Sequence, residues 1–324
     1  MRFTKTLCFI AVSLTATWAH AAGLKSFEVP ADASGPALRA FIWSPCTVAP
    51  ADITLGSIVV SGVRNCPIVG ANLPLVVISH GHAGSSLGHH DTAETLADAG
   101  FVVVALNHPR DNFSDMSQSG DISVFIERPT DIKRLIDFML NASPEAAHID
   151  PSRIGFFGFS RGGYTGLVLA GAIPDFHDPH VSCPEPAPIC GQIRRNELPT
   201  QPLTQDARIK ALVIADPFSF FSTKDSLKNV KVPVQLWGSQ YGGDGVLPEN
   251  VVALTDDLPA KPEFHVVSNA AHFAFLAPCS PALAQSQPEI CKDANGFDRV
   301  AFHKSFDADV LSFFRRHLIE AGKP

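Results

Sequence analysis

Tyrosine is nearly missing from this 324-residue chain: there are 2, against 23 phenylalanines, with 3 tryptophans and 3 methionines. Nothing in the sequence alone explains that skew. Charge is also sparse, at 18%, and basic charge does not dominate: 25 Lys and Arg face 32 Asp and Glu, for a net charge of −7. A chain with that balance is poorly suited to holding phosphates, so no nucleic-acid partner is expected. Gly (23) and Pro (26) are too few for a collagen-like or low-complexity chain, and 45% apolar residues exclude disorder as the main state. No Cys-x-x-Cys pair is present, so a cysteine zinc site is not expected. No repeat is visible. No apolar run reaches the ~20 residues of a membrane-spanning helix, so stable membrane insertion is not expected.

The N-terminus carries a shorter run. Arg2 and Lys5 precede Leu7 to about Thr17, and Ala19-His20-Ala21 supplies a small-x-small site. This pattern predicts a signal peptide over residues 1–21, cleaved after about Ala21, and a secreted or periplasmic mature protein. Of the seven cysteines, Cys8 falls in that leader. The other six lie in the mature chain, an even number that suggests disulfides in an exported protein. Pairing nearest neighbours, Cys46–Cys66, Cys183–Cys190 and Cys279–Cys291, closes short loops in proline-rich segments and is the expected pattern.

Residues 22–324 read as one domain in which short β-branched runs alternate with helical patterns. Strands are expected at Leu75–Ile78, Phe101–Leu106, Arg153–Phe157, Ile209–Ala215, Val232–Trp237 and Glu263–Val267. Helices are expected at Thr92–Ala99, at Pro129–Asn141 with Pro129 in the first turn, and from about Arg299 to Ile319. Such alternation predicts an α/β fold: a mostly parallel central sheet with helices on both faces. The alternating Phe27, Val29, Leu38, Ala40 and Ile42, followed by Ile58-Val59-Val60, predict antiparallel N-terminal edge strands. Residues 173–208, rich in proline and holding Cys183 and Cys190, read as an excursion over the top of the sheet.

Three stretches carry chemistry. Gly158-Phe159-Ser160-Arg161-Gly162-Gly163 fits G-x-S-x-G between a strand and a helical pattern, where the turn exposes the serine hydroxyl at a helix N-terminus. Ser160 is therefore the candidate nucleophile. Acyl transfer also needs two backbone N–H groups aimed at an oxyanion. Arg161, after the serine, offers one, and His82 in Ser79-His80-Gly81-His82-Ala83-Gly84 offers the other. His80 reads as a structural donor within that loop. His272, in Ala270-Ala271-His272-Phe273, follows the last strand and is the candidate base. His108 ends a strand before the nucleophile and could line a pocket. His265, His303 and His317 read as structural or solvated. His89-His90-Asp91 reads as a solvated loop with Asp91 as helix N-cap rather than a metal site. Two acids compete. Asp216 ends the Ile209–Ala215 strand, and Asp244 follows the next one within Tyr241-Gly242-Gly243-Asp244-Gly245. Asp206, Asp256 and Asp257 read as solvated.

On these stretches the chain resembles the α/β-hydrolases over about residues 70–320. Within them it is similar to the bacterial predicted dienelactone hydrolases and the platelet-activating-factor acetylhydrolase family. In the acetylhydrolases the acid ends the strand after the nucleophile helix. Ala215-Asp216-Pro217-Phe218 fits that place, and Ser239-Gln240-Tyr241 resembles the Ser-Glu-Tyr loop that follows. The resemblance implies Ser160 as nucleophile, His272 as base, Asp216 before Asp244 as its orienting acid, and the His82 and Arg161 amides as oxyanion hole. It implies a serine carboxylesterase for short- to medium-chain esters, with a small-molecule ester as partner and neither cofactor nor metal. Dienelactone hydrolase itself uses cysteine, and this chain has Ser160. An exported acyltransferase or peptidase of the same fold, or a non-catalytic binding module, are the alternatives.

Overall fold

Leu75 and Val77 pack into one hydrophobic layer, Val76 and Ile78 into another, and all four are buried. Phe156 and Phe157 divide in the same way, as do Leu212 and Val213. A strand covered on both faces has no solvent side to hold polar residues, which is why these segments read as unbroken apolar runs. The computed structural model describes residues 21–177 and 187–321. Residues 1–20 of the leader expected over 1–21, and Cys183 with its expected bond to Cys190, lie outside the described residues.

Among the described residues ten strands form one sheet: β1 (Ala21–Val29), β2 (Leu38–Cys46), β3 (Ala51–Leu55), β4 (Ile58–Arg64), β5 (Leu73–Ser79), β6 (Val102–Leu106), β7 (Ile149–Phe159), β8 (Ile209–Ala215), β9 (Val234–Ser239) and β10 (Glu263–Val267). Their order is β10-β9-β8-β7-β5-β6-β2-β1-β4-β3. From β10 to β6 every pair is parallel. The N-terminal strands close the other edge: β2 runs antiparallel to β6 and β1, and β3 antiparallel to β4. The mixed sheet is the architecture expected from the sequence.

The helices are α1 (His90–Asp98), α2 (Val124–Asn141), α3 (Arg161–Leu169), α4 (Pro188–Arg194), α5 (Lys224–Leu227), α6 (Pro248–Asp257), α7 (Pro281–Ser286), α8 (Pro288–Cys291) and α9 (Arg299–Phe314). Helices α2, α3 and α6 cover one face of the sheet, and α1 and α9 cover the other. The phenylalanine excess now has a use. Phe125, Phe176, Phe218 and Phe220 pack edge and face in the first layer, and Phe157, Phe275, Phe302 and Phe306 in the second. A buried phenol needs a hydrogen-bond partner, whereas a phenyl ring needs none. Tyr164, within the first cluster, has a buried hydroxyl with no partner among the described residues.

Three local readings change. Helix α2 begins at Val124, so Pro129 is its sixth residue, not a first-turn residue. The turn is nucleated upstream, where Phe125 N–H meets Ile122 O at 3.2 Å and Ile126 N–H meets Ser123 O at 2.9 Å. Asp91 is not the cap of α1; His89 holds that position and is buried rather than solvated, its Nδ1 3.1 Å from Phe275 O. Asp206 is buried as well, paired with Arg208 at 2.5 Å.

Among the described residues two disulfides are formed. Cys46–Cys66 ties the end of β2 to the segment after β4, and Cys279–Cys291 closes the segment holding α7 and α8. Among the described residues no helix is long and apolar enough to cross a membrane.

Candidate active site

Strand β5 sends its chain on to β6 on one side, while β7 lies on its other side. Loops leaving β5 and β7 therefore diverge at their carboxyl ends, the place where open α/β sheets form a crevice. The loops that follow β5, β7, β8, β9 and β10 carry His82, Ser160, Asp216, Asp244 and His272 to this edge.

Ser160 alone makes the turn from β7 into α3. Its backbone sits at φ 55° and ψ −119°, a conformation that side chains rarely adopt and that costs strain energy. Neighbouring glycines make so sharp a turn possible. A Cβ on Gly158 would stand 2.2 Å from Gly162 O, and one on Gly162 would stand 1.9 Å from Ser79 O. Backbone bonds lock the turn: Ser160 N–H donates to Ala215 O at 3.0 Å, and Ser160 O accepts from Gly163 N–H at 2.9 Å and Phe218 N–H at 3.0 Å.

His272 begins a single 3-10 turn, residues His272–Phe275, after β10. Its ring stacks on Phe159 with centroids 4.5 Å apart. Nδ1 faces Asp216 Oδ2 at 3.0 Å, whereas Nε2 is buried with no partner among the described residues. Asp216 is 1% exposed and fully engaged: Ser239 N–H donates to Oδ1 at 2.6 Å and Ser239 Oγ to Oδ2 at 2.5 Å. A buried carboxylate needs such donors to offset the loss of water.

Asp244 stands elsewhere. It lies 3.9 Å from His82 Nδ1, and both side chains are about one-third exposed. The loop around it supports His272 by backbone: Gly242 O accepts from His272 N–H at 2.9 Å. Of the two candidate acids, then, the structure brings Asp216 and not Asp244 to the imidazole.

Arg161 is the first residue of α3, where an N–H has no acceptor within the helix. Its side chain turns away, donating to Ser119 O at 2.8 Å and to both oxygens of Asp111 at 3.2 Å. Arg128 joins the same carboxylate at 2.6 Å and also donates to His80 O. Burial pushes Asp111 up, but the two guanidinium groups override it and hold its pKa down to about 2. This Arg128–Asp111–Arg161 network went unread in the sequence. The available signal was Arg128 itself, a charge set within the apolar pattern of α2.

The histidines near the loop are structural. His80 donates from Nδ1 to Gly81 O at 2.7 Å and accepts His108 N–H at Nε2, 3.1 Å away. Burial, with Arg128 close by, holds its pKa down to about 3. His108 is fully buried, held between Asp131 Oδ2 at 3.0 Å and Ser79 Oγ at 2.9 Å. Burial drives its pKa well below the usual value and pushes that of Asp131 up to about 8. His265 stacks on Trp237 within the sheet, centroids 4.1 Å apart. Two clefts of about 770 and 420 Å³ open elsewhere, lined around Asp121 and Gln192 and around Arg110 and Thr204, and neither is lined by Ser160 or His272.

A mixed ten-stranded sheet, covered by helices on both faces and carrying a serine on a strained turn between strand and helix, defines the α/β-hydrolase fold. The solved structures contain a close architectural match: a ferulic acid esterase from Streptomyces cinnamoneus superposes with a TM-score of 0.66 over 94% of this chain and 91% of that one, at 19% identity. At that identity the likeness shows the fold alone. No family model matches the chain, and no curated protein matches it.

Proposed function

We propose that this protein is an exported serine carboxylesterase that cleaves small-molecule esters with short- to medium-chain acyl groups. One observation carries the reading. His272 has one nitrogen held by a buried carboxylate and the other unpartnered, on the same sheet edge as the strained Ser160. Ser160 Oγ attacks the ester carbonyl carbon while His272 Nε2 takes its proton. Asp216 keeps Nδ1 protonated and supports the imidazolium that forms. The tetrahedral oxyanion accepts from the N–H groups of Arg161 and His82. The C–O bond then breaks, and the departing alcohol takes the proton from His272. Water adds to the acyl-enzyme by the same route and frees the acid.

Substrate length rests on the resemblance noted in the sequence. The architectural likeness to a ferulic acid esterase adds an aromatic acid ester to the set worth testing. Export is supported by the leader pattern before Ala22 and by the two disulfides. The test is hydrolysis of p-nitrophenyl esters from acetyl to palmitoyl, and of methyl ferulate, by wild type and Ser160→Ala. A Ser160-dependent rate that peaks on short or medium chains is expected. Turnover retained in Ser160→Ala would overturn the reading.

A further inference from the structure

On the α1–α9 side of the sheet, three ligand-type side chains meet: Asp91, His303 and Asp307. One nitrogen or oxygen atom from each lies within 4.8 Å of the others. Asp91 comes from α1, and His303 and Asp307 stand one helical turn apart on α9. His303 is 3% exposed and Asp307 7%. His303 Nδ1 and Asp91 Oδ2 are both buried and stand 2.6 Å apart as a histidine–carboxylate pair.

The other edge of His303 explains the arrangement. Nε2 donates to Ala274 O at 2.9 Å, so in that tautomer Nδ1 presents a lone pair to the carboxylate oxygen. Metal-binding histidines are commonly oriented in this way, one nitrogen donating to a carbonyl and the other facing the ion. Asp307 is similarly held, with Oδ1 accepting from Thr92 Oγ1 at 2.6 Å. The neighbouring His90 and Glu94 are occupied with each other at 2.9 Å.

We propose that Asp91, His303 and Asp307 bind one divalent transition-metal ion of the zinc–manganese class. An imidazole nitrogen with two carboxylates suits such an ion, whereas calcium seeks about six to eight oxygens. Ligands bonded at about 2.0–2.2 Å to a tetrahedral zinc stand about 3.3 Å apart, so Asp91 and His303 part by under an ångström to admit it. The double positive charge balances two carboxylates confined in one buried space. The ion joins α1 to α9. Through His303 and Ala274 O it also steadies the turn that begins with His272. Its role is structural.

The test uses the full mature protein stripped with chelator and titrated calorimetrically with ZnCl2 and with MnCl2, with CaCl2 for comparison. One equivalent of zinc or manganese should bind, and Tm should climb with ion concentration, since the folded state alone holds the site. Asp307→Asn keeps an acceptor for Thr92 and loses a charged ligand. It should weaken binding at least tenfold and remove the Tm response. Asp91→Asn, at the more exposed end of the cluster, should do the same if Asp307→Asn folds poorly. No uptake of either ion by wild type would overturn the proposal, as would equal uptake by wild type and both variants. Neither result depends on the esterase reading, because the readout is metal affinity.

Discussion

Ser239 grips Asp216 twice, its N–H donating to Oδ1 at 2.6 Å and its hydroxyl to Oδ2 at 2.5 Å, the same oxygen that faces His272 Nδ1 at 3.0 Å. The strand beyond the acid thus sets the direction of the carboxylate. If Asp216 orients the base, Asp216→Asn should lower kcat by about 10⁴, whereas Asp244→Asn should leave it near wild type. Ser239→Ala should fall between the two, with kcat reduced and KM little changed. Steady-state kinetics on one p-nitrophenyl ester measures all three. A large loss in Asp244→Asn with a mild Asp216→Asn would reverse the assignment.

The positive φ of Ser160 stores strain that a glycine would not feel. Strain of this kind costs about 1–3 kcal/mol, against about 0.5–1 kcal/mol for the extra freedom of an unfolded glycine. Both Ser160→Gly and Ser160→Ala should be inactive, yet the glycine variant should be the more stable by about 1 kcal/mol. Urea denaturation of the two compares them directly; an alanine variant equal or superior would mean that the turn is unstrained.

Asp111 sits between two buried guanidinium groups. Removing one partner of a buried ion pair costs about 3–5 kcal/mol, because the remaining charge has no counter-ion. Asp111→Ala should lose at least that much stability and should disorder the entry to α3 through Arg161. A loss under about 1 kcal/mol in chemical denaturation, the scale of a surface pair, would show the network to be loosely held.

His80 is buried and neutral, with its folded pKa held down to about 3. The unfolded chain, with its histidine near the ordinary 6.5, takes up a proton first as pH falls. Stability from this residue is therefore complete above pH 6.5 and declines below it. One pKa unit is about 1.36 kcal/mol, so the share lost between pH 6.5 and 4.5 is about 3 kcal/mol. His80→Gln can still accept the His108 N–H and does not titrate. It should lose less stability than wild type over that interval, and parallel pH profiles of the two proteins would refute the assignment.

How much of this was legible depended on range. The G-x-S-x-G turn was readable because its local cause lies within six residues: Gly158 and Gly162 must pass each other without a Cβ. The buried strands were readable because two covered faces leave a continuous apolar run. Pro129 misled because a helix start was inferred from one residue, when the nucleating turn lay upstream at Ile122 and Ser123. The short helices α7 and α8 offered fewer than two turns of pattern.

Sequence by itself determined the buried strands, the mixed sheet and the serine turn, all of which follow from local sterics and from the period of apolar residues. The resemblance put Asp216 before Asp244, and tertiary structure set Asp216, not Asp244, beside His272. Both end up at one sheet edge, but only Asp216 meets Ser239 and a histidine 56 residues further on. Tertiary structure alone brought Asp91 to His303 and joined Arg128 and Arg161 through Asp111. Charged groups enter a low-dielectric interior only with partners, and chain folding supplies those partners from positions that no local pattern records.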